Sequence, residues 1–124
     1  MLGIYIDVAD RQLSYIYVPD TKVVPTLIGN GCELFCCPFE LKNGDVLYAD
    51  NEATLRQNNI GAFILPNMPK PIAGNAILLG SDAEGYIADS RSKIQEIEKK
   101  LVFVDARFVK NDSVLNSPND LVIQ

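Results

Sequence analysis

The sequence predicts an α+β fold: a mainly antiparallel sheet built from hairpins, with one or two short helices packed on one face. Three observations carry this. Ile4, Ile6 and Val8 alternate with Tyr5 and Asp7, the period of a half-buried strand. Two turn-forming stretches, Ala9-Asp10-Arg11 and Lys42-Asn43-Gly44-Asp45, each separate runs rich in β-branched and aromatic residues. The main helix signals are two, Val23 to Ile28 and the stretch that begins at Ser92.

The elements follow in chain order. Ile4 to Val8 and Leu13 to Val18 read as a hairpin ended by Pro19-Asp20. Val23 to Ile28 reads as one or two helical turns, with Pro25 in the first turn and Gly29 at the end. Cys32 to Phe39 reads as a strand apolar on both faces, and so placed centrally in the sheet. Asn43-Gly44 takes positive φ readily and predicts a tight turn back into Val46 to Ala49. Asp50 to Ile60 is polar and reads as loop, with a helical turn around Ala53 to Arg56. Gly61 to Leu65 is a short strand, and Pro66, Pro69 and Pro71 force an extended connection. Ile72 to Leu79 is a strongly apolar run interrupted by Gly74-Asn75, and Gly80 to Gly85 is turn-like. Ser92-Lys93-Ile94-Gln95 matches a capping box, and Ile94, Ile97 and Leu101 form one apolar helical stripe. Leu101 to Val109 reads as a last strand. Residues 1–110 are thus expected to form a single domain, with 111–124 a mobile tail.

Composition narrows the chemistry. The chain has 124 residues, 48% of them hydrophobic and 22% charged, which is the balance of one globular domain. Lys and Arg number 11 against 16 Asp and Glu, and the net charge of −5 argues against direct nucleic-acid binding. There is no histidine, so the Ser-His-Asp and Cys-His sets and His-ligated zinc are excluded within the chain. The first residues have no basic start and no long apolar run, so no signal peptide or membrane span is expected and the protein is placed in the cytoplasm. Cys32, Cys36 and Cys37 are too crowded for a disulfide framework and read as reduced core residues. Cys36 and Cys37 would face opposite ways on a strand, so no metal site is expected from them. No phosphate-binding glycine motif occurs, and no cofactor is implied.

Two local features remain. Asp50-Asn51-Glu52 closes a strand, either as turn chemistry or as a ligand site. Asn75, inside an apolar run, is a structural amide with bonded partners or a ligand contact. The order Thr26-Leu27-Ile28-Gly29, Glu33, Asn51-Glu52 and Pro71-Ile72-Ala73-Gly74-Asn75-Ala76-Ile77-Leu78-Leu79-Gly80 resembles the bacterial and phage domain-of-unknown-function family DUF3846 over about Val23 to Gly85. Members of that family are associated with phages, plasmids and conjugative elements. The chain departs from it in Gly29-Asn30-Gly31 where the family has a double glycine, in its hairpin-like start, and in the extension from Ser90 to Gln124. The family has no agreed catalytic residues, so none is carried over. The resemblance implies a mobile-element accessory protein, with Glu33, Asn51, Glu52 and Asn75 as the binding positions to follow.

The resulting expectation is a non-enzymatic accessory or binding protein acting through a protein partner. One alternative is a small hydrolase or nucleotide-binding protein using Glu33, Asp50 and Glu52 with a divalent metal. Another is an acidic DNA mimic, which would need its carboxylates in rows. Tyr5, Tyr15, Ile16 and Tyr17 near a sheet edge also allow a homodimer.

Overall fold

In the computed structural model, residues 1–55 and 61–105 are described. Their elements are β1 (Leu2–Asp7), β2 (Gln12–Tyr17), α1 (Val24–Ile28), β3 (Phe35–Glu40), β4 (Val46–Asp50), β5 (Ala62–Ile64), β6 (Ile72–Ala73), β7 (Ala76–Ser81), β8 (Ile87–Ala88), α2 (Ile94–Lys100) and β9 (Val102–Val104). Short 3₁₀ turns occupy Thr21–Val23 and Ala53–Leu55. The larger sheet runs β2-β1-β7-β4-β3, with β8 pairing the end of β7, and the smaller one runs β6-β5-β9. Every pairing is antiparallel, and the fold is α+β as expected. Among the described residues, no helix is long and apolar enough to cross a membrane.

The pleat divides the core in two. Ile4, Ile6, Leu47, Ala49, Ala76 and Leu78 point to one face, where they meet Phe63 of the small sheet and Ile97 of α2. Tyr48, Ile77 and Leu79 point to the other, where they meet Val24 and Ile28 of α1. The two helices therefore lie on opposite faces, which corrects the expectation of a single helix-bearing face. The central strands are apolar on both sides, so both faces need a cover.

Several local expectations change for physical reasons. β3 begins at Phe35 and forms an edge of the sheet, not its centre. Pro38 has no N–H for a ladder, and the register shifts between Cys36 and Phe39, as a proline-bearing strand requires. None of the cysteines is a buried core residue: Cys32 and Cys36 are half-buried and Cys37 is exposed. The turn after β3 is the five-residue loop 41–45, in which only Gly44 has positive φ, at 93°. The apolar run Ile72 to Leu79 is split at Gly74 (φ 81°), which sends β6 to the small sheet and β7 to the middle of the large one. Ile87–Ala88 returns against β7 as a short strand not foreseen in the sequence. Ser92 does not cap α2; Lys93 is the N-cap and makes no side-chain cap bond. Arg56 to Ile60, the end of the last expected strand, and the 111–124 tail lie outside the described residues.

Candidate functional site

The four candidate positions gather at one end of the large sheet. The register row Ile6, Ala76, Ala49 and Cys36 crosses it from β1 to β3. The next row outward is Asp7, Asn75, Asp50 and Phe35, and the loops beyond that row hold Glu33, Asn51 and Glu52.

Asn75 is engaged inward. Its Oδ1 accepts from the Val8 amide at 2.9 Å, and its Nδ2 donates to the Tyr5 hydroxyl at 2.8 Å and to the Ile28 carbonyl at 3.4 Å. The amide thus ties the end of β1 to the end of α1, beside the glycine that lets β7 begin. Burial pushes the Tyr5 phenol up, Asp7 adds to that, and the hydrogen bond from Asn75 opposes it.

Glu33, Asn51 and Glu52 form an exposed corner beside this network. The Asn51 amide donates to the Leu34 carbonyl at 3.0 Å, which extends the β3–β4 ladder and sets the Glu33 segment against the Asn51-Glu52 turn. The turn is braced by the Glu52 amide, which donates to Asp50 Oδ1 at 3.0 Å, and by the Leu55 amide, which donates to the Glu52 carbonyl at 3.0 Å. Asp50 is buried while Glu33 and Glu52 are exposed. Two large apolar side chains stand out among these acids: Leu34 is 64% exposed and Leu55 is 75% exposed. Sequence reading missed both leucines, because a lone leucine in a polar loop gives no sign of which way it will point.

The β3 thiols Cys36 and Cys37 are not activated. Burial, then Asp50, raises Cys36, and burial, then Cys36, raises Cys37. Among the described residues, no group of three or more Cys, Asp or Glu side chains is placed to hold a metal ion.

The opposite end of the β3–β4 hairpin carries a second arrangement that the sequence did not reveal. Asp45 is fully buried. Its carboxylate accepts from Ser90 Oγ at 2.7 Å, Ser92 Oγ at 2.7 Å, the Ser92 amide at 3.0 Å and the Arg91 amide at 2.9 Å. These bonds hold the segment before α2 against the hairpin loop. An open groove of about 630 Å³ lies alongside, lined by Phe39, Leu41, Leu65, Pro66 and Ile97 with charges of both signs around it. Two of the polar groups lining it are used within the fold: Asn43 Nδ2 donates to Ser92 Oγ at 3.0 Å, and Ser92 Oγ in turn donates to Asp45.

No family model, curated protein or solved structure matches this chain.

Proposed function

We propose that the protein is a non-enzymatic binding module that acts through a protein partner, with the Glu33–Leu34 and Asn51–Leu55 corner as its contact surface. One observation carries this reading: two strongly exposed leucines stand among exposed polar side chains on a braced turn. Apolar surface rimmed by polar groups is the usual make-up of a protein contact. The hydrogen bonds from Asn51 and Glu52 keep the corner in one geometry, which lowers the entropic cost of docking. The mobile-element setting rests on the resemblance stated above, and a cytoplasmic setting is supported by Cys36 and Cys37, thiols that join no disulfide.

The hydrolase alternative draws less support. Asp50 is held inward by the turn, while Glu33 and Glu52 face solvent, so the three carboxylates share no enclosed pocket. The DNA-mimic alternative needs an unbroken row of carboxylates, and here Leu34, Asn51 and Leu55 interrupt the acids.

The test is affinity capture with tagged protein from cells that carry the gene, read by mass spectrometry beside Glu52→Ala and Leu34→Ser variants. A stoichiometric partner retained by the wild type and depleted at least about tenfold by either variant is the expected result. A partner captured equally by all three would move the contact surface elsewhere. Capture of no partner would overturn the reading.

A further inference from the structure

We propose that the protein pairs with a second copy of itself along the outer edge of β2, antiparallel and across a two-fold axis at Tyr15. This goes beyond the partner corner, which lies at the β3–β4 end of the sheet.

The two long edges of the large sheet differ. β3 is protected by Pro38 and by its register irregularity. β2 has neither device: its six residues, Gln-Leu-Ser-Tyr-Ile-Tyr, pair with β1 in unbroken register and include no charge and no proline. Among the described residues, no strand covers its outer side.

The backbone shows which groups are offered. Met1 and Val18 exchange both of their hydrogen bonds across the β1–β2 ladder. The period of two then turns Gln12, Ser14 and Ile16 toward β1, and leaves the amides and carbonyls of Leu13, Tyr15 and Tyr17 facing outward. Tyr15 and Tyr17 are also 49% and 70% exposed as side chains.

A single register uses all three outward residues inside the strand: Tyr15 opposite Tyr15 of the second copy, and Leu13 opposite its Tyr17. A shift one way sets Tyr17 opposite Arg11, whose φ of 54° is outside strand geometry. A shift the other way sets Leu13 opposite Pro19, which has no N–H. The centred register also continues the apolar rows. Leu2 already lies opposite Tyr17, and Ile6 opposite Leu13, so Leu2, Tyr17 and the second copy's Leu13 and Ile6 fall in one line. The charges flanking the strand are Asp10 and Arg11 before it and Asp20 after it, and the centred register sets Arg11 opposite Pro19 and Asp10 opposite Asp20, so the one like-charge pair falls beyond the strand ends. Between Gln12 and Tyr17 themselves, a copy of this chain, despite its net charge of −5, meets no charge at all.

The experiment is sedimentation velocity of the full chain over a concentration series, for the wild type, Tyr15→Lys and Tyr15→Glu, with far-ultraviolet circular dichroism to confirm folding. A seam this short should dissociate in the micromolar range. Each variant sets two like charges opposite each other and should weaken the dimer about tenfold or more. An equimolar mixture of the two should restore a dimer, because Lys then faces Glu. Tyr17→Lys, at a more exposed position, is the second variant should Tyr15 changes disturb folding, and should weaken the dimer similarly. A wild type that is monomeric throughout would overturn the proposal. So would a dimer indifferent to the folded variants, or a mixture no more dimeric than its components.

Discussion

Asp45 has no exposed surface, yet four protein donors meet its carboxylate within hydrogen-bonding distance. A buried carboxylate is tolerated only when such donors replace its water. Arg91 adds little, since its guanidinium is half exposed and 3.9 Å away. Asp45→Ala would strand the Arg91 amide and the Ser92 hydroxyl and leave Ser90 Oγ only its bonds to the Ser92 amide and carbonyl, and should cost about 3 kcal/mol or more in urea unfolding. A loss below about 1 kcal/mol would show that water readily takes the carboxylate's place. Nothing in the sequence announces this residue. Asp after Asn-Gly reads as ordinary turn chemistry, and its partners lie 45 to 47 positions away. Asn75 was more legible: an amide inside an apolar run has to be bonded, and it is, to Val8, Tyr5 and Ile28.

At the scale of elements, α2 shows how a local signal is redirected. Ser92 and Gln95 have capping-box spacing, but the Ser92 hydroxyl is drawn to Asp45 and the helix starts two residues later. Lys93 is left as the N-cap, extended at φ −111° and ψ 151°, with no side-chain acceptor. Lys93→Asp supplies that acceptor and a charge matched to the helix N-terminus, and should stabilise the fold by about 0.5–1 kcal/mol in thermal or urea unfolding. An unchanged or lowered midpoint would mean that the lysine has a compensating role. The strands were easier to read than their places in the sheet. Alternation identifies Ile4 to Val8 as strand wherever it sits, but the central position of β7 depends on pairing with both β1 and β4. The edge position of β3 has a sign in the sequence, Pro38, although the residues around it are apolar on both faces.

For the whole molecule, burial raises Tyr5, Tyr48, Cys36 and Cys37 above their ordinary values of 10.0 for phenols and 9.0 for thiols. Each is an acid whose neutral form the fold favours. As pH rises, the unfolded chain releases these protons before the native state does, so stability falls with pH. The urea midpoint should decline as pH passes about 9, where unfolded thiols titrate, and further past about 10, where unfolded phenols do. A midpoint that holds or rises through that range would contradict this, and Cys36→Ala should flatten the first part of the decline. By itself the sequence determined the α+β class, the hairpins at each end of the large sheet, the stripe that buries Ile97, and the exclusion of histidine-dependent chemistry. Those properties depend on alternation, turn residues and composition, which act over a few positions or over the whole chain at once. The tertiary structure alone decided the strand order, the helices on opposite faces, the Asp45 clamp, the exposed leucines beside Glu33 and Glu52, and the edge position of uncharged β2 among the described strands. Each depends on residues distant in sequence being brought together or left uncovered, and that is settled only when the competing ways of burying the same apolar side chains are resolved into one packing.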